Sequence, residues 1–124
     1  MIHHVSLGSN DLARSRVFYD AVMAVVGLRR LDEDFGLNYG VGSFMLSIVE
    51  PVDGRPATAG NGVHVAFAAG SRAMVDAFYL AALEHGGSRD GEPGLRPHYN
   101  PNYYGAFVRD PDGNKLEAVT YSAV

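Results

Sequence analysis

Residues 4–27, HVSLGSNDLARSRVFYDAVMAVVG, and residues 64–87, HVAFAAGSRAMVDAFYLAALEHGG, decide the fold when one is set above the other. His4-Val5-Ser6-Leu7 falls on His64-Val65-Ala66-Phe67, Phe18-Tyr19 on Phe78-Tyr79, and Gly27 on Gly87, all at one offset of 60. Registered identities at a single offset read as a duplication, and two copies of this length are too few for a stacked repeat array.

Working outward, Ile2 to Leu7 reads as a strand of β-branched and apolar residues. Asn10 or Asp11 then offers an N-cap, and Val17, Phe18, Ala21, Val22 and Val25 recur at helical spacing up to the stop at Gly27. Three short strands follow, at Arg29 to Leu31, Gly36 to Val41 and Phe44 to Val49, with Gly42-Ser43 turning between the last two. After a stretch without a periodic apolar face, EPVDGRPATAGNG, the pattern restarts with a strand at Val63 to Ala68 and a helix from Ser71 to Glu84. A Gly/Pro-rich loop is expected to about Asn102, then strand YGAFVR, the turn DPDGN and strand KLEAVTY. The fold class expected is α+β: two βαβββ modules at about 1–50 and 62–120, joined by a linker at about 51–61, in one domain.

The composition narrows the chemistry. A chain of 124 residues with 47% hydrophobic and 19% charged residues can build a core without staples. It has no cysteine, so any metal must be held by His, Asp, Glu and water, which favours Fe, Mn, Zn, Ni or Co. A net charge of −4 and the lack of any basic run argue against a nucleic-acid partner. The opening MIHHVSLGSND has no basic region before an apolar core, and no stretch approaches the ~20 apolar residues of a membrane span. A cytoplasmic protein without a membrane partner is expected.

Strand alternation points to a site. Ile2, His4 and Ser6 share one face of the first strand, and His64 and Ala66 share the corresponding face of its counterpart. The bulky neighbours Val5, Leu7, Val65 and Phe67 claim the helix-covered side. In the last strand Glu117, between Leu116 and Ala118, points to the face those two avoid, and its carboxylate needs a partner there. Two imidazoles and one carboxylate are a familiar ligand set for a catalytic metal with open positions. From these residues alone a metal site and a plain polar cluster both stand.

The opening HVSLGSNDLARSRVFYDAVMAVVGL, the mid-chain GVHVAFA and the closing YYGAFVRDPDGNKLEAV resemble the vicinal oxygen chelate superfamily over nearly the whole chain. That superfamily includes glyoxalase I, extradiol dioxygenases, fosfomycin-resistance thiol transferases and bleomycin-resistance proteins. The resemblance implies the glyoxalase/bleomycin-resistance/dioxygenase-like fold, with paired modules curled into an open, cup-shaped mixed sheet, and a homodimer. It implies His4, His64 and Glu117 as ligands of a divalent metal. The position where glyoxalase I carries a fourth ligand, a Glu, is Ser47 here. The remaining set resembles three-ligand centres, which leave room for water and for a substrate that chelates through two neighbouring oxygens.

Around that centre, Ser6, Ser47, Arg96 and Tyr99 are expected to line the substrate pocket, with Tyr104 and His98 of the 88–104 segment as acid/base candidates. Tyr19 and Tyr79 read as helix-packing residues, and Asp110 and Asp112 as turn caps. The function expected is that of a metal-dependent lyase, isomerase or ring-cleaving dioxygenase acting on a small molecule. The alternative is a metal-free small-molecule-binding or drug-sequestering protein of the bleomycin-resistance type. A thiol transferase would want a cation-rich pocket, and Lys115 is the single lysine. No phosphate-cradling glycine loop follows a strand, which argues against a nucleotide cofactor.

Overall fold

The computed structural model describes residues 1–31 and 35–124. The first module comprises β1 (Val5–Gly8), α1 (Leu12–Val25), β2 (Arg29–Arg30), β3 (Leu37–Val41) and β4 (Ser43–Val49). The second comprises β5 (His64–Ala68), α2 (Arg72–Glu84), β6 (Ser88–Leu95), β7 (Tyr104–Arg109) and β8 (Lys115–Thr120). Each builds a four-stranded mixed sheet with the same topology, β1-β4-β3-β2 and β5-β8-β7-β6. In both, the first strand lies parallel to the last, and the others pair antiparallel. The duplication visible in the sequence is therefore a duplication of strand order, in two open sheets and not in one closed barrel.

Local chemistry places the helices. Asp11 accepts from the Arg14 amide at 3.0 Å and Ser71 from the Met74 amide at 3.1 Å, each satisfying a donor that the first helical turn leaves free. Phe18, Tyr19, Val22 and Met23 of α1 and Val75, Phe78, Tyr79 and Ala82 of α2 are buried on facing stripes. They join Leu46, Ile48, Val108, Leu116 and Ala118 in one core that runs through both modules. The sheet faces turned away from the helices stay open, as the exposed His64, Ala66 and Ala68 along β5 mark for the second module.

A polar joint, buried at Asp110 and open to solvent at Arg14, ties the modules together. The Asp112 carboxylate accepts from the Asn10 amide at 2.9 Å, from Arg14 at 2.8 Å and from the Ser15 hydroxyl at 3.2 Å, all at the start of α1. Asp110 takes the Tyr19 hydroxyl at 2.5 Å, and burial followed by the Asp110 charge holds that phenol well above its ordinary pKa, fixing it as a donor. Asn114 reaches the Gly8 carbonyl at 3.0 Å. Asp110 does cap its own turn, accepting from the Asp112 and Asn114 amides at 2.9 and 2.8 Å. The DPDGN turn thus also docks the second module onto the first.

One expectation is corrected. The Gly/Pro-rich stretch after α2 is not a loop throughout, because Ser88–Leu95 forms β6 on the rim of its sheet. Its register against β7 shifts between Arg89 and Gly91 and again between Gly91 and Gly94. Such bulges erase the alternation by which a strand is recognised, and an edge position tolerates Pro93.

Candidate metal centre

β8 is hydrogen-bonded on both sides, to β5 and β7, and Glu117 stands on its open face. In register it pairs with Ala66 on one side and Phe107 on the other. Although it avoids the helix-covered core, its residue is 1% exposed. His64 Nε2 lies 3.2 Å from Glu117 Oε1, and the Tyr103 hydroxyl donates to Oε2 in a short hydrogen bond. Burial, reinforced by the bond to Glu117, pushes the Tyr103 phenol far above its ordinary pKa, so it remains a donor at physiological pH. The buried carboxylate thus has a partner on each oxygen, and Oε1 is the one turned toward an imidazole.

Above this pair opens a cavity of about 640 Å³, whose lining includes His64, Arg96, Tyr99, Tyr103, Phe107 and Glu117. Two cations stand on the Phe107 ring, Arg96 with its guanidinium carbon 5.7 Å from the centroid and Lys115 with its ammonium at 5.0 Å. The sequence had offered no evident cation near Glu117. Lys115 stands two residues before Glu117 on β8 itself, and Arg96 follows the end of β6.

His4 lies elsewhere in the chain. It borders a second cavity of about 500 Å³ on the open face of the first module, with Asn38, Phe44 and Ser47 among its neighbours. Its ring sits 4.6 Å from that of Phe44, and Nδ1 is 2.8 Å from Nδ1 of His3. Ser47 occupies the position that Glu117 holds in the other module and gives its proton to Asn38 at 2.8 Å. Among the described residues, no three His, Asp or Glu side chains of one chain converge on a point where an ion could sit. The structure brings His64 and Glu117 together and keeps His4 in the companion pocket.

The other predicted residues divide. Arg96 and Tyr99 line the His64 cavity, and Ser47 lines the His4 cavity. Ser6 is exposed on β1, paired in register with Ser47. His98 is exposed and packs its ring 4.1 Å from that of Tyr99. Tyr104 turns to the helix side, where its hydroxyl donates to Asp76 at 2.6 Å and Arg72 stands over its ring. Phe107 and Lys115 were not expected at the site, and of the two adjacent loop tyrosines Tyr104 was preferred to Tyr103. The signal was present in the DPDGN hairpin, whose register sets Arg109 opposite Lys115 and Phe107 opposite Glu117. Counting back by twos from Phe107 puts Tyr103, not Tyr104, on the face of the carboxylate.

The donor set fits a divalent cation in part. Two groups able to ligate are within reach of one another and one carboxylate oxygen is already oriented by a hydroxyl, but among the described residues no third His, Asp or Glu joins them.

The sequence profile of the Glyoxalase/Bleomycin resistance protein/Dioxygenase superfamily matches residues 1–118. No curated protein matches the chain. Among solved structures, a glyoxalase/bleomycin resistance protein from Albidiferax ferrireducens is 39% identical, with a TM-score of 0.84 over 94% of each chain. A glyoxalase/bleomycin resistance protein/dioxygenase family enzyme from Burkholderia phytofirmans shares the fold at 15% identity, with a TM-score of 0.75 over 98% of each chain. A lactoylglutathione lyase from Agrobacterium tumefaciens does so at 23% identity, with a TM-score of 0.67 over 96% of this chain and 92% of its own. A profile match along nearly the whole chain, on a fold of two βαβββ modules, places this chain in the glyoxalase/bleomycin resistance protein/dioxygenase superfamily.

Proposed function

We propose that the chain is a divalent-metal-dependent enzyme, a lyase, isomerase or ring-cleaving dioxygenase, acting on a small molecule that chelates through two neighbouring oxygens. The observation that carries this reading is the 3.2 Å approach of His64 Nε2 to Glu117 Oε1 at the floor of an open cavity. His64 and Glu117 would hold the ion, and Tyr103 would keep Oε2 occupied so that Oε1 faces it. A bound divalent cation would act there as a Lewis acid on the chelated oxygens. Around it the chain's own groups do the rest: Phe107 and Tyr99 wall the cavity, and Tyr103 keeps its proton.

The third ligand is proposed to be His4 of a second copy. Each module leaves one sheet face open, and the two faces carry related groups, His4 with Ser47 and His64 with Glu117. A two-fold homodimer that sets the first module of one copy against the second module of the other would assemble two equivalent sites, each with two imidazoles and a carboxylate.

A specific observation keeps a second reading in play, that of a metal-free small-molecule binder. Both Glu117 oxygens already have partners within the chain. Metal analysis by mass spectrometry on tag-free protein, beside His64→Ala and with the oligomeric state measured by sedimentation, separates the two. The enzyme reading expects about one equivalent of a transition metal per chain in a dimer, lost in His64→Ala. A chain that takes up no ion after soaking with Fe, Mn, Zn, Ni and Co would overturn it.

A further inference from the structure

Arg96 sits in the metal-candidate cavity under conditions that call for an anion. Its guanidinium lies over Phe107, and Nη2 donates to the Glu92 carbonyl at 2.7 Å. Its other hydrogen bond, from Nη1 to the Leu95 carbonyl, is long at 3.5 Å. Both acceptors are neutral backbone oxygens, and among the described residues no carboxylate pairs with Arg96. The acids of the same cavity are committed elsewhere. Asp90 is shared by Arg109 at 3.0 Å and Lys115 at 3.5 Å, and Glu117 is held by His64 and Tyr103.

The backbone of β6 makes the seat. A Cβ built on Gly94 would lie 3.2 Å from Arg96 Nη1, and one on Gly91 would lie 3.0 Å from the Phe107 ring and 3.5 Å from Nη2. The two register shifts of this strand fall at these glycines. The strand therefore gives up regular pairing at two glycines, of which Gly94 leaves room for the guanidinium and Gly91 for the Phe107 ring on which it lies. A half-buried guanidinium, held by carbonyls and with its charge uncompensated, is preorganised for a planar or tetrahedral oxyanion.

We infer that Arg96 is the binding group for an acid substituent of the substrate, so that the substrate is a small acid bearing a carboxylate or a phosphonate. Lys115, on the same Phe107 ring, adds positive field without being free of Asp90. The inference takes the position of the reacting oxygens from the proposed metal centre. The anion seat itself is defined by Arg96 and β6.

The test uses the full chain, as purified and after chelator treatment, and follows the Arg96 Nε–H resonance by NMR. Methylphosphonate and, separately, acetate are added at low salt, where screening is weak. A saturable shift of that resonance is expected in the wild type, and the shifts of the backbone amides of β6, followed in every variant, should report an affinity weakened about tenfold or more in Arg96→Gln, as loss of charge-assisted hydrogen bonds implies. Arg96→Lys, which keeps the charge and loses the fork, should fall between. Circular dichroism verifies that both variants fold. A stronger response to one anion names the substituent. An Arg96 resonance unmoved by either anion, or equal affinity in wild type and Arg96→Gln, would overturn the inference. The metal reading fails on a different readout: a chain that shifts with anion but takes up no ion loses the metal centre and retains the anion seat.

Discussion

The two modules share a topology and differ in what they place on it. In the first, the open face carries His4 beside Phe44, with Ser47 and Asn38 satisfying each other, and the cavity wall includes Leu31 and Phe35. In the second, the equivalent face carries His64, a buried Glu117, Tyr103 and two cations on Phe107. The helix-covered sides, by contrast, remain alike, with Phe18-Tyr19 and Phe78-Tyr79 buried in one core. Duplication thus held the side that packs and let the open side diverge, because core residues answer to many neighbours and open-face residues to few. One half has become an apolar wall with an imidazole, the other a polar floor.

The comparison can be broken most forcefully by Ser47→Glu, which gives the first module the acid of the second. Ser47 is 5% exposed, and among the described residues its hydroxyl donates to Asn38 with no tyrosine donor like Tyr103 beside it. An ionised carboxylate there should destabilise by several kcal/mol. Burial would raise its folded pKa, so the penalty should be present at neutral pH and relieved as pH falls below that raised value. Urea denaturation at pH 4 and pH 7 measures it, and equal losses at the two pH values would mean that His4 already pairs the new acid.

Next in size is Tyr103→Phe, which removes the oriented donor from Glu117 Oε2. Metal affinity should fall by roughly ten- to a hundred-fold, the usual consequence of losing such a supporting hydrogen bond, while Tyr104→Phe should leave it unchanged. Competition titration with a chelating dye reads both, and equal effects from the two variants would remove the distinction between the faces. Asp112→Ala tests what joins the halves. It deletes three bonds to the start of α1 and should cost about 1–3 kcal/mol, lowering hydrogen-exchange protection in both modules together.

The smallest effect is alkaline. Tyr103 has a raised folded pKa, so its contribution to stability is complete below the ordinary tyrosine value near 10 and is lost as pH climbs from there toward the raised value. Tyr103→Phe should make the melting temperature fall slightly less between pH 9 and 11, as calorimetry would register.

Much of the fold was legible because it is periodic. The helix starts at Asn10-Asp11 and near Ser71, the stripes around Phe18 and Phe78, and the YGAFVR and KLEAVT strands all follow from spacing, while the structure settles the caps as Asp11 and Ser71. β6 was not, since Gly91, Pro93 and Gly94 carry no alternation and the strand exists only where β7 offers it a ladder. Of the candidate site, His64 and Glu117 were legible from repeat position and strand face. Tyr104 was read in place of its neighbour Tyr103 because both flank the strand start and only the hairpin register tells them apart.

The sequence by itself determined that the chain is a duplicated βαβββ unit with imidazoles at matching first-strand positions and a carboxylate in its last strand. These are consequences of local periodicity, which one chain can write into its own order. Tertiary structure alone decided that Glu117 is shared between His64 and Tyr103, that Arg96 lies over Phe107 beside Gly94, and that His4 faces a different cavity. Those facts depend on which strand borders which and on how far a side chain reaches across the ladder, and a linear pattern does not encode such distances.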